Sequence, residues 1–380
     1  MVAILTRGAF LKAAALASSL TISPSSPAVD FDLASGTQTG GVVGTAQPGP
    51  FPSVSSTVVG TIPSPLEDRQ YAAAAAFVRR EITRIVREEN PSMAGSILRL
   101  SFHDATVRSV ASDPSIGGAD GSIRYELEWP ENRGLAKPLA VVTSVYEEQL
   151  VRFSVPGSSP IEEENAPLPS CPLSFADTLA LSGAAAVEAA EGPQIPVRLG
   201  RRDKEVADNR FLDRPIPGFT TMDQGPGDRA SITSSLPSAG LDSLGLRNYF
   251  RRLGLTESEL VALSGAHDLG RHVTLLGMRK DCLRDLTRAC LEDAPVLWPF
   301  VTKDPDTLSN RYFATLLRWN KREIERGEAS FIPTDVALVV DDGLKRHVVA
   351  FAKDEKLFFR RFRTAYQKLV DSTASSQSRF

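Results

Sequence analysis

Apolar residues recur every three or four positions along most of the chain between Leu66 and Val370, and few stretches alternate as strands do. This periodicity predicts a succession of helices, separated by loops that Gly and Pro punctuate. We therefore expect a mainly α fold in a single large all-helical domain. The predicted helices are Leu66–Glu89, Met93–Thr106, Leu135–Phe153, Leu173–Glu191, Leu241–Leu253, Glu257–Leu269, Asn310–Glu325, Asp335–Val340, Gly343–Lys353 and Glu355–Val370.

Two of these helices carry start signals. Ser174 is followed three residues later by Asp177, and Thr256 is followed by Glu259 in the same way. A hydroxyl side chain at a helix start accepts a free backbone N–H group. An acidic side chain three positions later can accept the backbone N–H of the capping residue. We predict that Ser174 and Thr256 are N-caps.

Composition narrows the classes of function. The chain of 380 residues has a net charge of -3 and no long basic run, so we expect no nucleic-acid partner. Its apolar runs are shorter than a membrane span, so no membrane-spanning helix is expected in the mature protein. Three cysteines without a CxxC pair argue against a disulfide framework or a cysteine-based zinc site.

The N-terminal residues have the pattern of a targeting signal. A basic start and a short apolar run precede a small-residue cleavage site at Ser25–Ala28. Residues 1–28 are predicted to be a signal segment that resembles thylakoid-lumen signals, with a secreted or periplasmic location as the alternative. The predicted organisation continues with a flexible lead at 29–65, the folded domain at 66–372 and a disordered tail at 373–380.

Arg99 and His103 are the first candidates for chemistry. They lie four residues apart in a predicted helix, so both side chains project from one face. An arginine supplies a fixed positive charge, and a histidine takes and returns a proton near neutral pH. The alternative is a core helix in which both residues make structural hydrogen bonds.

His267 and Asp335 form a second candidate pair. His267 follows Gly265 and Ala266 near the end of an apolar helix, where small residues are expected to let a flat ligand approach the imidazole. Asp335 stands at the start of a later helix. A metal-ligating histidine usually donates its second N–H to such a carboxylate, which strengthens the ligand.

Five motifs in this order resemble those of plant-type haem peroxidases, nearest the ascorbate and cytochrome c peroxidase branch. They are Arg99-Leu-Ser-Phe-His103, Cys171-Pro-Leu-Ser-Phe-Ala-Asp177, Ile195-Pro-Val-Arg-Leu-Gly-Arg-Arg-Asp203, Leu263-Ser-Gly-Ala-His267 and Ile332-Pro-Thr-Asp335. The resemblance implies haem b held between a distal and a proximal helical half. It also implies reduction of hydrogen peroxide by a small-molecule donor such as ascorbate or a phenol.

The resemblance assigns roles to individual residues. It implies that His267 binds the haem iron and that Asp335 makes this histidine electron-rich. His103 would move the proton of the peroxide, and Arg99 would stabilise the negative charge that develops as the O–O bond breaks. Asn132 would orient His103.

Four positions depart from the ascorbate peroxidase pattern. The distal aromatic residue, expected to contact the haem, is Phe102, where the intracellular branch usually has tryptophan. Neither Phe300 nor Val301 is the tryptophan expected beneath the proximal histidine. Leu276 and Pro91 stand where relatives have an arginine that contacts ascorbate and its lysine partner. The identity of the reductant therefore stays open.

The resemblance also implies two candidate sites for Ca²⁺ or K⁺. Carboxylates, hydroxyls and carbonyls are the oxygen ligands that such ions prefer. The distal set is Asp104, Gly118, Asp120 and Ser122. The proximal set is Asp268, Thr302, Asp304, Thr307 and Ser309.

Two hypotheses from different classes follow. The first is a haem peroxidase; the second is a non-catalytic structural or binding protein of the thylakoid lumen that keeps the peroxidase fold. Retention of both histidine motifs favours the enzyme. Outside the motifs, Arg201–Lys204 is predicted to be a solvated turn, and His272 and His347 to be surface or helix-end residues.

Overall fold

The structure is a computed structural model, and it describes most of the predicted domain. The described residues are 65–107, 118–153, 173–208, 236–237, 241–273, 297–301, 303–318 and 331–372. The predicted targeting segment, the lead as far as residue 64 and the tail lie outside the described residues. So do Leu276, Thr302 and the end of the predicted helix Asn310–Glu325.

The described part of the chain contains ten α-helices and one antiparallel ribbon. The helices are α1 (Pro65–Arg84), α2 (Met93–Thr106), α3 (Ala136–Phe153), α4 (Phe175–Ala189), α5 (Ser243–Arg252), α6 (Glu257–Ser264), α7 (Arg311–Leu317), α8 (Pro333–Val340), α9 (Asp342–Lys353) and α10 (Glu355–Asp371). A π-helical turn, Ile85–Glu89, extends α1, and a 3₁₀ turn, Gly265–Asp268, extends α6. The prediction of a mainly α fold is confirmed.

The ribbon is a departure from the all-helical prediction. Strand β1 (Arg271–Val273) pairs antiparallel with β2 (Leu297–Pro299), and His272 lies opposite Trp298. Strands of three residues are too short for the alternation of apolar and polar residues to be visible in a sequence.

Among the helices of the described ranges, none has the length and hydropathy that a membrane span requires.

Both predicted N-caps are present. The Ser174 hydroxyl accepts the backbone N–H of Asp177 at 3.0 Å. The Thr256 hydroxyl accepts the N–H of Glu259 at 3.3 Å, and the Glu259 carboxylate accepts the N–H of Thr256 at 2.9 Å. These contacts satisfy N–H groups that have no partner within the helix, so the starts of α4 and α6 are set by local sequence.

Helix α2 packs against α4, α3 and α10. Gly183 of α4 permits this close approach, because a Cβ added there would lie 2.0 Å from the Tyr366 hydroxyl and 2.7 Å from Ser101 Cβ. The Tyr366 and Ser101 hydroxyls share a hydrogen bond of 2.8 Å in the same contact. This packing fixes the rotation of α2 and therefore the side to which Arg99 and His103 point.

The prediction of a solvated turn at Arg201–Lys204 is wrong for Arg201. Its side chain is 0% exposed and donates to Asp177 at 2.8 Å and to Asp371 at 3.1 Å. The guanidinium also donates to the carbonyl of Val370 at 2.8 Å. The acidic partners are 24 and 170 residues away along the chain, so the charged run itself gave no sign of burial.

Candidate active site

Arg99 and His103 occupy successive turns of α2 and lie on the same side of the helix, as predicted. Ile97 and Leu100 are completely buried and anchor this helix in the core. His103 is 9% exposed. Arg99 keeps accessible surface although protein surrounds its guanidinium. His103 is therefore enclosed by protein, whereas Arg99 has solvent-accessible surface, and neighbouring residues influence the charge and basicity of both.

Asn132 fixes the state of His103. The Asn132 amide nitrogen donates to the carbonyl of Glu126 at 2.9 Å, so its oxygen, 2.8 Å from His103 Nδ1, accepts a proton from the imidazole. Nε2 of His103 is then the unprotonated nitrogen. Burial, reinforced by the charge of Arg99, lowers the pKa of His103 to about 3. The imidazole is neutral at physiological pH and able to accept a proton.

The loop that carries Asn132 also holds Arg99. The guanidinium donates to the carbonyl of Arg133 at 2.9 Å and to that of Glu131 at 2.6 Å. Gly134 follows with a φ of 82°, a left-handed conformation that suits glycine. Burial, with a contribution from Arg133, lowers the pKa of Arg99 to about 10, so the side chain stays positively charged at neutral pH.

His267 and Asp335 meet although 68 residues separate them in the sequence. His267 Nδ1 lies 2.6 Å from Asp335 Oδ1. Asp335, in the first turn of α8, accepts the backbone N–H of Ile332 through Oδ2 at 2.9 Å. The Asp335 side chain is 1% exposed and that of His267 is 31% exposed. An accessible imidazole is thus tied to a buried carboxylate, which leaves Nε2 as the nitrogen that can bind a metal.

Aromatic rings contact both histidines. Phe300 stacks on the His267 imidazole with ring centroids 4.2 Å apart and an interplanar angle of 6°. Phe102, which is half-buried, has its ring centroid 6.1 Å from that of His103. The family resemblance placed Phe300 near the position where relatives have a tryptophan beneath the proximal histidine. In the structure, the Phe300 and His267 rings lie together.

Gly265 has a packing role that the sequence did not predict. A Cβ at this position would lie 2.6 Å from the Phe358 ring and 2.8 Å from the Phe313 ring. The glycine is therefore required because two core aromatic rings pack against the end of α6. The prediction that it gives a flat ligand access to His267 is not supported by these contacts.

The two histidines have complementary chemical states that fit a haem group. His267 has no hydrogen-bond partner at Nε2 among the described residues, and its Nδ1 is held by a buried carboxylate. This is the arrangement of a histidine that ligates a metal. His103, held neutral with a free Nε2, has the arrangement of a general base. The residues present thus fit an iron ligand on one side and a peroxide-handling base on the other.

Three residues of the predicted distal cation site, Gly118, Asp120 and Ser122, lie close together in the sequence, and Asp104 of α2 contacts their segment. Asp104 accepts two backbone N–H groups of that segment, at 3.1 and 3.2 Å, and Asp120 accepts the N–H of Ser122 at 3.1 Å. The N–H of Gly118 donates to the carbonyl of Val107. Burial raises the pKa of Asp104 and of Asp120. A positive charge beside these carboxylates would stabilise their ionised form.

Lys204 supplies a positive charge at this place. Its ammonium lies 3.8 Å from Asp120 Oδ2 and pairs with the carboxylate of Asp208. The side chain of Asp208 is 2% exposed, and its other oxygen is 3.4 Å from the Ser122 hydroxyl. The distal carboxylates therefore have a cation from the chain itself.

Arg311 has the equivalent position at the predicted proximal site. Its guanidinium donates to Asp304 at 2.6 Å and to the carbonyl of Thr307 at 2.6 Å, and it lies 3.5 Å from Asp268. Asp268 also accepts the N–H and hydroxyl of Ser309, at 2.7 and 2.9 Å. Burial raises the pKa of Asp268 to about 6. Within the described ranges, no group of three or more His, Cys, Asp or Glu side chains has an arrangement that could hold a metal ion.

Sequence reasoning missed three residues that contact the predicted sites: Lys204, Arg311 and Tyr312. The Tyr312 hydroxyl donates to Asp335 at 2.7 Å. None of the three belongs to a recognisable motif. The available indication was position in the sequence. Lys204 directly follows the motif that ends at Asp203, and Arg311 and Tyr312 lie two and three residues after Ser309.

A mainly helical domain that holds a carboxylate-bound histidine and, on another helix, a neutral histidine with an arginine fits the class of peroxidase-type haem proteins. The sequence model of the family described as "Peroxidase" matches residues 78–354. The chain belongs to this family. It is a haem-dependent oxidoreductase that acts on hydrogen peroxide.

Individual relatives agree with the family assignment. The chain is 32% identical to "Putative L-ascorbate peroxidase 6" of Arabidopsis thaliana over 78% of this chain and 68% of that protein. It is 30% identical to "L-ascorbate peroxidase 5, peroxisomal" of the same plant, over 80% and 84% of the two chains. A "Putative heme-binding peroxidase" of Cryptococcus neoformans is 28% identical over 77% of each chain. A chloroplastic member from Oryza sativa is among the other matches.

Proposed function

We propose that the enzyme reduces hydrogen peroxide with Arg99, His103 and Asn132 on one side of haem b, and with His267 and Asp335 on the other. The hydrogen bond between His103 and Asn132 carries this proposal, since it leaves Nε2 of a neutral imidazole free to accept a proton. Haem b, when bound, supplies an iron that breaks the O–O bond and stores the two oxidising equivalents of the peroxide.

The distal residues handle the proton and the charge. Nε2 of His103 takes the proton from one peroxide oxygen and returns it to the departing oxygen, which leaves as water. Arg99 stabilises the negative charge on the departing oxygen. Overall, one hydrogen peroxide, two protons and two electrons, one from each of two donor molecules, would give two waters.

The proximal residues hold the iron ligand in one orientation. Asp335 accepts a hydrogen bond from Nδ1 of His267, which leaves Nε2 available to bind the iron and would increase its electron donation. The stacked ring of Phe300 restricts rotation of the imidazole.

We propose a small one-electron donor and take ascorbate as the first candidate, because the relatives of Arabidopsis thaliana carry that name. The positions of Leu276 and Pro91 provide no polar contact of the kind that relatives use, so a phenol is the second candidate. Steady-state rates with ascorbate, a phenol and cytochrome c at one peroxide concentration would rank the donors. A rate with ascorbate no higher than without a donor would exclude it.

We propose an organellar location for the protein. Relatives named as peroxisomal and chloroplastic support an organelle, and the targeting pattern of residues 1–28 favours the thylakoid lumen over a secreted or periplasmic location. The folded domain is proposed to span residues 66–372. N-terminal sequencing of the protein purified from its own cells tests the cleavage site, and an uncleaved N-terminus would contradict the signal.

The binding of Ca²⁺ or K⁺ stays a prediction at both candidate sites. Because Lys204 and Arg311 place positive charge beside the carboxylates, we propose that the domain keeps its fold without a bound cation. Metal analysis after chelator treatment, together with thermal unfolding, tests this. Stoichiometric calcium, with a loss of structure on its removal, would contradict it.

Peroxide reactivity separates the enzyme from a non-catalytic haem-binding protein. Rapid mixing of the haem-reconstituted protein with hydrogen peroxide should give a fast spectral change. His103→Leu should slow that change by about 10²–10⁴-fold, which is the usual contribution of a general base. His347→Leu, at a histidine that contacts Phe351, is the matched control and should react as wild type. Equal rates for His103→Leu and wild type would overturn the proposed role.

A further inference from the structure

Asp335 receives three hydrogen bonds inside the proximal half, and two of them fall on one oxygen. Oδ1 is 2.6 Å from His267 Nδ1 and 2.7 Å from the Tyr312 hydroxyl, while Oδ2 accepts the backbone N–H of Ile332 at 2.9 Å. Asp335 is 1% exposed and Tyr312 is 0% exposed. Water therefore does not compete for these contacts, and the two side-chain donors share the charge of a single carboxylate oxygen.

The direction of the tyrosine contact follows from its surroundings. An ionised carboxylate can only accept hydrogen bonds, so the hydroxyl of Tyr312 donates. Because the acceptor is a carboxylate, this hydrogen bond of 2.7 Å is charge-assisted.

Tyr312 is also tied to the segment of His267 through its backbone. Its N–H donates to Asp268 Oδ1 at 3.1 Å, and Asp268 directly follows His267 in the chain. The Tyr312 ring meets the His267 ring edge to face, with centroids 6.1 Å apart, and packs against Phe313 and Phe331. Tyr312 of α7 is therefore hydrogen-bonded to the residue after His267 and to the carboxylate that His267 contacts, so its hydroxyl has little freedom to move.

We propose that Tyr312 is a positioning residue that limits how much electron density Asp335 passes to His267. The inference rests on the proposed role of His267 as the iron ligand. A carboxylate oxygen shared between two donors binds each one less strongly than it would bind one alone. His267 Nδ1 consequently holds its proton more tightly. Nε2 is then a weaker electron donor to the iron than in a histidine–aspartate pair without the tyrosine.

Two substitutions on the same carboxylate should act in opposite directions. Tyr312→Phe keeps the packed ring and removes only the donated hydrogen bond, so Asp335 interacts more strongly with His267. Asp335→Asn removes the negative charge, so the histidine donates less. The first variant should lower the Fe(III)/Fe(II) midpoint potential of the reconstituted protein, and the second should raise it.

The test measures this potential by spectroelectrochemistry and the iron–histidine stretching frequency by resonance Raman. Tyr366→Phe is the matched control, because it removes an equally buried hydroxyl that bonds Ser101 and the Ala180 carbonyl instead. Tyr312→Phe should shift the potential down and the frequency up, while Tyr366→Phe stays at the wild-type values.

Two outcomes would count against the inference, and they are distinguishable. If Tyr312→Phe and Tyr366→Phe both match the wild type, the tyrosine does not tune the ligand, although the proposed function stands. If the wild-type protein shows no iron–histidine band at all, His267 is not the ligand, and both the proposed function and this inference fail.

Discussion

The substitution Asn132→Leu isolates the residue that sets the state of His103. Leucine has the same number and branching of side-chain heavy atoms as asparagine but offers neither an acceptor to His103 Nδ1 nor a donor to the Glu126 carbonyl. Asn132 is 1% exposed, so water has poor access to either orphaned group. The variant should lose stability and should also lose the fixed tautomer on which proton transfer depends.

The magnitude follows from the two lost hydrogen bonds. Each buried polar group left without a partner costs about 1–3 kcal/mol. His103 can relieve its own cost by moving the proton from Nδ1 to Nε2, and in that form it cannot accept the proton of the peroxide. Restoring the productive tautomer then adds a similar free energy to the barrier, which corresponds to a rate about 5–150-fold slower.

The assay is the rate of the Soret change after rapid mixing of the haem-bound protein with hydrogen peroxide. Gln149→Leu is the matched control, because it replaces another fully buried amide, one that donates to the carbonyl of Leu173, far from His103 in the sequence. It should lower stability without slowing the reaction.

A double-mutant cycle sharpens the result. Because Asn132 acts through His103, adding Asn132→Leu to His103→Leu should slow the reaction by less than about twofold more. Independent, multiplying effects of the two substitutions would refute the reasoning, as would a wild-type rate in Asn132→Leu alone.

Three further outcomes are expected. Since the pKa of His103 is lowered to about 3, the peroxide reaction should keep a constant rate down to about pH 4 and slow as the pH falls through about 3, in stopped-flow pH jumps. Arg201→Met leaves Asp177 buried without its cation and should lower the free energy of unfolding in urea by about 3–5 kcal/mol; a change below about 1 kcal/mol would contradict this. Lys204→Met should lower stability by about 1–3 kcal/mol, and added Ca²⁺ should restore it in calorimetry while leaving the wild type unchanged.

The helices were predictable because their signals are local. The predicted bounds of α2, Met93–Thr106, coincide with the observed ones, since a Pro-containing turn precedes the helix and its apolar residues repeat at helical spacing. The caps at Ser174 and Thr256 depend on residues three positions away, which a sequence shows directly. The separation of Arg99 and His103 by four residues likewise placed both on one side of a helix.

Contacts between distant segments were less accessible. Periodicity carries no information on a contact across 68 residues, so the pairing of His267 with Asp335 was inferred from the usual partner of a metal-ligating histidine and from a family resemblance. Tyr312 joins Asp335 from a third segment and has no motif. Arg201 and Lys204 belong to one charged run, yet one is buried and the other is 28% exposed, because their partners, and not their neighbours, decide the burial.

The most direct test of the account is a haem titration of the purified protein, followed by its Soret band. Wild type and His347→Ala should bind one equivalent of haem and give the same spectrum. His267→Ala should lose this spectrum, and added imidazole should restore it by taking the place of the missing ligand. Binding of haem by His267→Ala with the wild-type affinity and spectrum would contradict the assignment of His267 as the iron ligand.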